Sequence, residues 1–114
     1  MSDRGLRAEA LAAAFLQQQG LVLLERNYRC RYGEIDLVMV DGKTLVFVEV
    51  RMRISSQFGG AAASITASKR RKLASAARHY LTGNSRPPAC RFDALLVNGA
   101  DKKVVWLKNI FDEC

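Results

Sequence analysis

Apolar and polar residues alternate most regularly between Gly33 and Arg53, a segment that reads GEIDLVMVDGKTLVFVEVRMR. Alternation with a period of two is typical of strands whose two faces meet different surroundings. Asp41 and Gly42 separate the two apolar runs, and an Asp-Gly pair at such a point favours a tight type I′ turn. The segment therefore predicts a β-hairpin.

The expected pairing of this hairpin gives its two faces different chemistry. A two-residue Asp41-Gly42 loop places Glu34 opposite Glu49 and Asp36 opposite Phe47. One face is then apolar and carries Ile35, Leu37, Met39, Val46, Val48 and Val50. The other face is apolar near the turn and charged at its open end, where it carries Glu34, Asp36, Glu49 and Arg51. Like charges in such positions destabilise a sheet, so this end needs a compensating cation, either a basic side chain or a metal ion.

Helical periodicity flanks the hairpin on both sides. A first helix is expected from a cap at Ser2 or Asp3 to about Gln19, with Gly20 as the residue that ends it. A second helix is expected from Ser64 or Thr66 to about Thr82, with an apolar side formed by Leu73, Ala76, Ala77, Tyr80 and Leu81.

Three further strands complete the expected fold, at 21–26, 91–97 and 103–107. The helix between the third and fourth strands implies a crossover, which makes these two strands parallel. The fold class is therefore α/β, a mixed β-sheet flanked by helices, and residues 1–114 form a single domain. Asp93 within its apolar strand is expected to pair with a nearby arginine, and Trp106 and Phe111 are expected to pack.

Composition excludes several classes of protein. No run of 18 apolar residues is present, so a transmembrane helix is not expected, and the first 20 residues lack the pattern of a signal peptide. We expect a cytoplasmic protein without a membrane partner. The three cysteines, at positions 30, 90 and 114, are far apart and odd in number, so neither a zinc site nor a disulfide framework is expected.

Charge is distributed unevenly along the chain, whose formal net charge is +7. Residues 1–50 contain six Lys or Arg and seven Asp or Glu, whereas residues 51–92 contain nine Lys or Arg and no acidic residue. A basic segment after an acidic hairpin end suits a polyanion, such as a nucleic acid, whose charge also meets a bound cation. A basic, solvated surface without a partner is the alternative.

The two acids of the hairpin, Asp36 and Glu49, suit a divalent metal. Hard carboxylate oxygens on adjacent strands are ligands that Mg²⁺ or Mn²⁺ prefers. About a dozen residues separate them, and the basic Arg51 follows Glu49 by two positions. This is the D…ExK pattern of metal-dependent nucleases in a degenerate form, with the ion polarising a phosphoryl oxygen and activating water. The alternative is that these acids form ion pairs with arginines and bind no metal.

The chain also resembles a known family. The segments that carry the resemblance are AEALAAAFLQQQG, ERNYRCRYGEIDLV, LVFVEVRMR, ITASKRRKLASAARHYL and RFDALLV, and they extend from about Gly5 to Val97. They look like the YraN family of uncharacterised bacterial proteins, and GEIDLV and VFVEV are the most specific of them. That family is regarded as distantly similar to Holliday-junction resolvases and to the restriction-endonuclease-like PD-(D/E)xK superfamily.

The resemblance implies a restriction-endonuclease-like αβββαβ core and a catalytic metal site. Asp36 and Glu49 would be metal ligands, the Val50 carbonyl a further ligand and Glu9 an outer one, while Glu34 matches the family's GEID. Arg51 departs from the family pattern, which has lysine there. An arginine stays charged and does not readily act as a general base, so Arg51 would stabilise charge or neutralise Glu34.

These observations lead to a metal-dependent endonuclease-like protein as the first hypothesis. Nucleic acid, DNA rather than RNA, would be held by the loop 55–60 and by Arg53, Lys69, Arg71, Lys72 and Arg78. Lys69, from the second helix, could also supply a mobile ammonium group in place of the lysine that Arg51 replaces in the family pattern. The alternatives are a non-catalytic module that binds structured nucleic acid and retains a vestigial site, and a basic surface for a protein or ribonucleoprotein partner. By analogy with resolvases, a homodimer could use the exposed edge of the fifth strand.

Overall fold

The computed structural model describes residues 3–53, 66–83, 86–99 and 101–111, with the side chains from Arg7 onward except those of Arg53 and Phe111. It is a five-stranded sheet with one helix packed on each face. The elements in chain order are α1 (Asp3–Gln18), β1 (Val22–Cys30), β2 (Gly33–Asp41), β3 (Thr44–Arg53), α2 (Ala67–Tyr80), β4 (Cys90–Asn98) and β5 (Val104–Phe111).

The strands lie in the order β1-β2-β3-β4-β5, so β1 and β5 are the edges of the sheet. Strands β3 and β4 are parallel, and the other neighbouring strands are antiparallel. The expected α/β class, mixed sheet and parallel third and fourth strands are confirmed. Neither described helix has the length and apolar character needed to cross a membrane.

Local sequence explains where the two helices begin and end. At the end of α1, Gly20 has φ +97°, and the N–H groups of Leu21 and Gly20 donate to the carbonyls of Leu16 and Gln17 at 3.0 Å. This is a Schellman motif, which satisfies carbonyls that would otherwise lack a donor. Helix α2 begins after Thr66, whose hydroxyl accepts a hydrogen bond from the Lys69 N–H at 3.1 Å.

The hairpin turn lies one residue further along the chain than expected. Asp41 pairs with Thr44, so the loop consists of Gly42 and Lys43. Gly42 has φ +62°, which suits glycine at the first loop position of a type II′ turn. The pairing is therefore shifted by two residues from the predicted one, and Val38, not Asp36, lies opposite Phe47. An even shift leaves every side chain of a regular ladder on its predicted face.

The predicted apolar face is wrong at one residue. Leu37 packs in the core cluster beneath α1, but Ile35 packs in the cluster beneath α2, on the opposite face of the sheet. The ladder between β2 and β3 ends at Leu37 paired with Val48. Strict alternation applies only within a regular ladder, so β2 changes face where its pairing with β3 stops. Asp36 lies between Ile35 and Leu37, where β2 changes face.

Three other expectations also differ from the structure. Strand β1 continues through the predicted bend to Cys30, with φ +53° at Asn27 and a bulge between Leu23 and Glu25. Strand β5 runs to Phe111 rather than ending at Leu107. Cys90 is disulfide-bonded, whereas Cys30 is a free thiol, and Cys114 lies outside the described residues.

Asp93 forms the polar centre of the β4–β5 pair. Its carboxylate is fully buried and accepts hydrogen bonds from Arg91 Nε at 3.1 Å, Trp106 Nε1 at 2.9 Å and the Asn109 N–H at 2.9 Å. Trp106 also packs edge-on against Phe15, with ring centroids 6.2 Å apart. The expected arginine partner of Asp93 and the packing role of Trp106 are confirmed, whereas the Phe111 side chain lies outside the described part of the chain.

Candidate metal and nucleic-acid site

Asp36 and Glu49, which we call the acidic site, lie together at the end of the β2–β3 pair. Asp36 Oδ2 accepts a hydrogen bond from the Val50 N–H at 2.9 Å, which joins the two strands beyond the last regular pair. The pKa of Asp36 is raised from 3.8 to about 7, first by burial and next by the negative charge of Glu49. Glu9 on α1 and Glu34 on β2 contribute smaller increases, while the Val50 hydrogen bond lowers the pKa.

Glu49 is buried and paired with basic side chains. Its Oε1 lies 2.9 Å from Lys69 Nζ on α2 and 3.5 Å from Arg51 Nε on the same strand. The longer distance allows charge attraction but gives no hydrogen bond, so Arg51 Nε is buried without a hydrogen-bond partner among the described residues. Lys69 therefore makes the closer contact to Glu49, although the D…ExK pattern gives that position to Arg51.

Glu9 supplies a second buried polar atom without a partner. The residue is 6% exposed, and its Oε1 has no hydrogen-bond partner among the residues that the structure describes. An unpaired buried carboxylate oxygen is costly, because it has lost its hydrogen bonds to water. A cation or an ion-bound water near Asp36 would relieve both this cost and the like-charge repulsion that raises the Asp36 pKa.

The donor set fits Mg²⁺ or Mn²⁺ held by two carboxylates. No group of three His, Cys, Asp or Glu side chains within the described ranges is close enough to hold a metal by itself. Mg²⁺ commonly keeps several waters and takes only one or two protein carboxylates together with substrate phosphate oxygens. Asp36 and Glu49 would supply these two carboxylates, whereas the described residues form no site of all-protein ligands. Glu9 fits an outer position, and the Val50 carbonyl as a ligand stays a prediction.

The remaining predicted site residues fall into three groups. Glu34 pairs with Arg29 at 3.3 Å and is exposed, so its carboxylate lies outside the buried part of the acidic site. Arg71, Lys72 and Arg78 are exposed along α2, as a surface for polyanions requires. The Arg53 side chain and the loop 55–60 lie outside the described residues.

A cavity of about 550 Å³ connects the acidic site to α2. Glu49, Lys69 and Lys72 line it, together with the hydroxyl-bearing Thr66 and Ser68 at the start of the helix. The first turn of a helix presents unpaired N–H groups and a partial positive charge, which favour anions. The cavity thus places the Glu49 and Glu34 carboxylates, two lysines and a helix N-terminus around one volume large enough for a phosphodiester, and Asp36 does not line it.

Comparisons with known proteins agree with the resemblance seen in the sequence. The model of uncharacterised protein family UPF0102 matches residues 8–97. The chain belongs to the UPF0102 family. This is also the family described above as YraN.

Curated members of the UPF0102 family match this chain along nearly its whole length. A UPF0102 protein of Nitrosomonas europaea is 59% identical over 97% of this chain and 95% of its own length. One from Nitrosospira multiformis is 56% identical over 96% of this chain and 92% of its own length. One from Psychromonas ingrahamii is 48% identical over 98% of this chain and 92% of its own length. None of these names states an activity.

Sequence reasoning missed several residues of this UPF0102 site. Arg29 and Cys30 line the 550 Å³ cavity from β1, and Thr66 and Ser68 line it from the start of α2. The sequence showed Arg29 only as one of several nearby arginines. It did not predict that Arg29 lines the cavity, because that position depends on the extension of β1 to Cys30. The cap at Thr66 was the one local signal for the helix N-terminus.

The raised pKa of Asp36 makes the stability of this protein depend on pH when metal is removed. Because the folded state holds the Asp36 proton up to about pH 7 and the unfolded state only to about pH 4, the free energy of unfolding falls as the pH rises between these values. We expect wild type to lose of the order of 2 kcal/mol relative to Asp36→Asn between pH 4.5 and 7.5, after discounting for partial exposure. Urea unfolding in EDTA measures this difference, and an equal wild-type–variant difference at both pH values would contradict it.

Proposed function

We propose that this UPF0102 protein is a metal-dependent nuclease that hydrolyses phosphodiester bonds in DNA. The observation that carries the proposal is the pairing of Asp36 with Glu49 at one end of the β2–β3 pair, where burial and like charge raise the Asp36 pKa to about 7. Lys69 and Arg51 contact only Glu49 among these two acids, and the raised Asp36 pKa indicates negative charge that a divalent cation would balance. The sequence resemblance to PD-(D/E)xK nucleases points in the same direction.

Each residue of the site would have a distinct role in such a reaction. Asp36 and Glu49 would hold Mg²⁺ or Mn²⁺, which supplies Lewis acidity at a phosphoryl oxygen and lowers the pKa of a bound water. Glu9 would accept a hydrogen bond from water next to the ion, since its buried Oε1 has no protein donor among the described residues. The Val50 N–H fixes one Asp36 oxygen, Oδ2, and so orients the carboxylate.

Lys69 is the better placed of the two basic residues to assist the chemistry. Its ammonium group lies 2.9 Å from Glu49 and lines the 550 Å³ cavity, and a lysine on a flexible stem can turn from the carboxylate toward a phosphate. Arg51 is one-third exposed at its side chain and makes the longer contact to Glu49. In this arrangement Lys69 orients or stabilises the reacting phosphate, while Arg51 neutralises developing charge.

DNA would lie along α2, which carries the basic face. Arg71, Lys72 and Arg78 are exposed on this helix, and the whole segment 51–92 contains no acidic residue. Phosphate contacts from such residues supply most of the affinity for nucleic acid in a sequence-independent way. A homodimer through the β5 edge would present two such sites, as cutting two strands requires.

Titration calorimetry with Mg²⁺ and Mn²⁺ tests the proposal directly. We expect wild type to bind one of these ions, more tightly with a short branched DNA present, because phosphate oxygens complete the coordination. The double variant Asp36→Ala/Glu49→Ala is expected to show no binding under either condition. Glu34→Gln is the matched control, since it removes an exposed carboxylate beside the site and should keep metal binding. Absence of binding in wild type with and without DNA would contradict the proposal.

A second function, binding of structured nucleic acid without cleavage, is favoured by the ion pairs of Glu49. Lys69 and Arg51 already neutralise this carboxylate, so the site can be balanced without a metal. Such a module would bind branched DNA in EDTA, with an affinity that falls as salt rises. The same calorimetry separates the two functions, because this one predicts no metal binding in wild type.

A further inference from the structure

A group of aromatic and basic side chains lies at the far end of α2 from Lys69, beside the turn between β1 and β2. We call it the Tyr32 cluster, and it consists of Arg31, Tyr32, Arg78 and His79 above the half-buried Tyr28. The proposed metal chemistry uses none of these rings. Their arrangement, size and charge point to a binding site of their own.

The fold brings this cluster together through a close contact at Gly33. Gly33 has φ +154°, and a Cβ atom there would lie 3.1 Å from the Lys72 carbonyl oxygen. The β1–β2 turn therefore packs closely against the backbone of α2, with a backbone conformation and a contact distance that both favour glycine. As a result the neighbouring Tyr32 ring lies beside His79, with ring centroids 5.7 Å apart.

Contacts within the cluster hold the rings in place. The Tyr28 hydroxyl forms a hydrogen bond with His79 Nδ1 at 2.5 Å, and Tyr28 itself packs edge-on against Tyr80. The Arg31 guanidinium lies 5.1 Å from the Tyr32 ring centre and donates to its hydroxyl at 3.0 Å. Tyr32 nevertheless remains 45% exposed. A large aromatic side chain that is both held and exposed is a ready stacking surface.

A cavity of about 310 Å³ opens beside the two rings. Its lining consists of Tyr32, Ser75, Arg78, His79 and Thr82, which are aromatic, basic or hydroxyl-bearing. Arg31 is not among the residues that line it, although its guanidinium lies 5.1 Å from the Tyr32 ring centre. The volume lies at the small end for ligand pockets and suits a single planar base with its sugar.

We infer that this cavity binds one unpaired nucleotide, with its base stacked on Tyr32 and His79 and its phosphates beside Arg78 and Arg31. Stacking on aromatic rings with flanking cations is how proteins bind single strands without reading their sequence. A base within a duplex is covered by its neighbours and cannot stack in this way. The cluster therefore selects DNA that contains an unpaired segment.

The length of α2 sets the distance between this cavity and the acidic site, a step that rests on the proposed nuclease function. Lys69 and His79 are ten residues apart on one helix, which corresponds to about 15 Å. At about 3.4 Å per stacked nucleotide, the unpaired base lies roughly four nucleotides from the phosphate at the acidic site. The substrate class is thus a branched or flapped DNA rather than a continuous duplex.

Fluorescence anisotropy with a labelled single strand and the matching duplex tests this inference, in EDTA so that no cleavage occurs. We expect Tyr32→Ala to weaken single-strand binding by about 5- to 150-fold, the cost of losing one stacked base, and to change duplex binding less than twofold. Tyr32→Phe keeps the ring and should stay within about twofold of wild type on both. Thermal melting checks the fold, which an exposed residue should leave intact. An unchanged single-strand affinity, or an equal loss on both DNAs, would overturn the inference.

The outcomes separate this inference from the nuclease proposal. If wild type binds metal and cleaves DNA but Tyr32→Ala keeps full single-strand affinity, only the nucleotide cavity is refuted. If Tyr32→Ala loses that affinity and calorimetry detects no metal, the cavity stands and the nuclease proposal fails. If wild type binds neither single strand nor duplex in EDTA, the nucleotide cavity is refuted, and the nuclease proposal is decided by the metal calorimetry and the cleavage assay.

Discussion

Asp36→Ala is expected to reduce Mg²⁺-dependent DNA cleavage by about 10³-fold or more, the largest effect of any substitution considered for this chain. The substitution removes one of the two carboxylates of the acidic site, and metal-assisted stabilisation of a phosphoryl transition state contributes several kcal/mol. Glu49 cannot replace it, because in the proposed site Glu49 is itself the second carboxylate ligand and would then be the only one left. The measurement is the initial rate of cleavage of a labelled branched DNA at saturating Mg²⁺.

Two further variants show whether such a loss comes from the metal chemistry. Glu34→Gln removes an exposed carboxylate from the same end of β2 and should change the rate by less than about threefold, as is usual for an exposed ion pair. Arg51→Lys restores the residue of the D…ExK pattern and should increase cleavage, since lysine can shift its pKa when buried. Equal rates for wild type and Asp36→Ala would show that the acidic site is not the catalytic centre.

Asp93→Ala is expected to destabilise the fold by about 3–5 kcal/mol, the usual cost of removing one partner of a buried ion pair. The fully buried Asp93 carboxylate accepts hydrogen bonds from Arg91, Trp106 and Asn109, so the substitution leaves three donors without an acceptor. Arg91 retains a contact to Asp41 at 3.0 Å, which limits the loss. Urea unfolding followed by Trp106 fluorescence measures the change.

Asp101→Ala is the matched control for this prediction. Asp101 is exposed in the turn before β5 and accepts one hydrogen bond, from the Lys103 N–H at 3.0 Å. Its loss should cost no more than about 1 kcal/mol. A similar cost for both substitutions would mean that Asp93 does not anchor β5 to the sheet.

Local patterns were sufficient where the contacts of an element follow from its own sequence. The end of α1 at Gly20 was predicted, and Thr66 was one of the two caps predicted for α2, because capping depends on residues within one or two turns. The parallel pairing of β3 and β4 was predicted from the helix between them, which implies a crossover connection. Asp36 and Glu49 were selected as a pair because a two-residue period places them on one face in either register.

The alternation of apolar and polar residues in the hairpin could not predict where its two-residue period breaks. Gly42 and Lys43 form the turn, and the Asp-Gly signal alone did not distinguish this loop from one at Asp41 and Gly42. Ile35 lies on the face opposite to Leu37, because β2 stops pairing with β3 at Leu37. This change of face depends on the twist of the sheet and on the packing of both helices. Neither can be read from a short stretch of sequence.

The amino-acid sequence by itself determined the α/β class, the order of the elements, the basic segment 51–92 and the two acids of the hairpin. These follow from periodicity, from capping and from the number of charges, which are properties of neighbours in the chain. Only the tertiary structure decided that Lys69 contacts Glu49, that the Glu9 carboxylate is buried near Asp36, and that Tyr32 lies beside His79. Each of these contacts joins elements that are distant in sequence, because packing of the helices against the sheet brings them together.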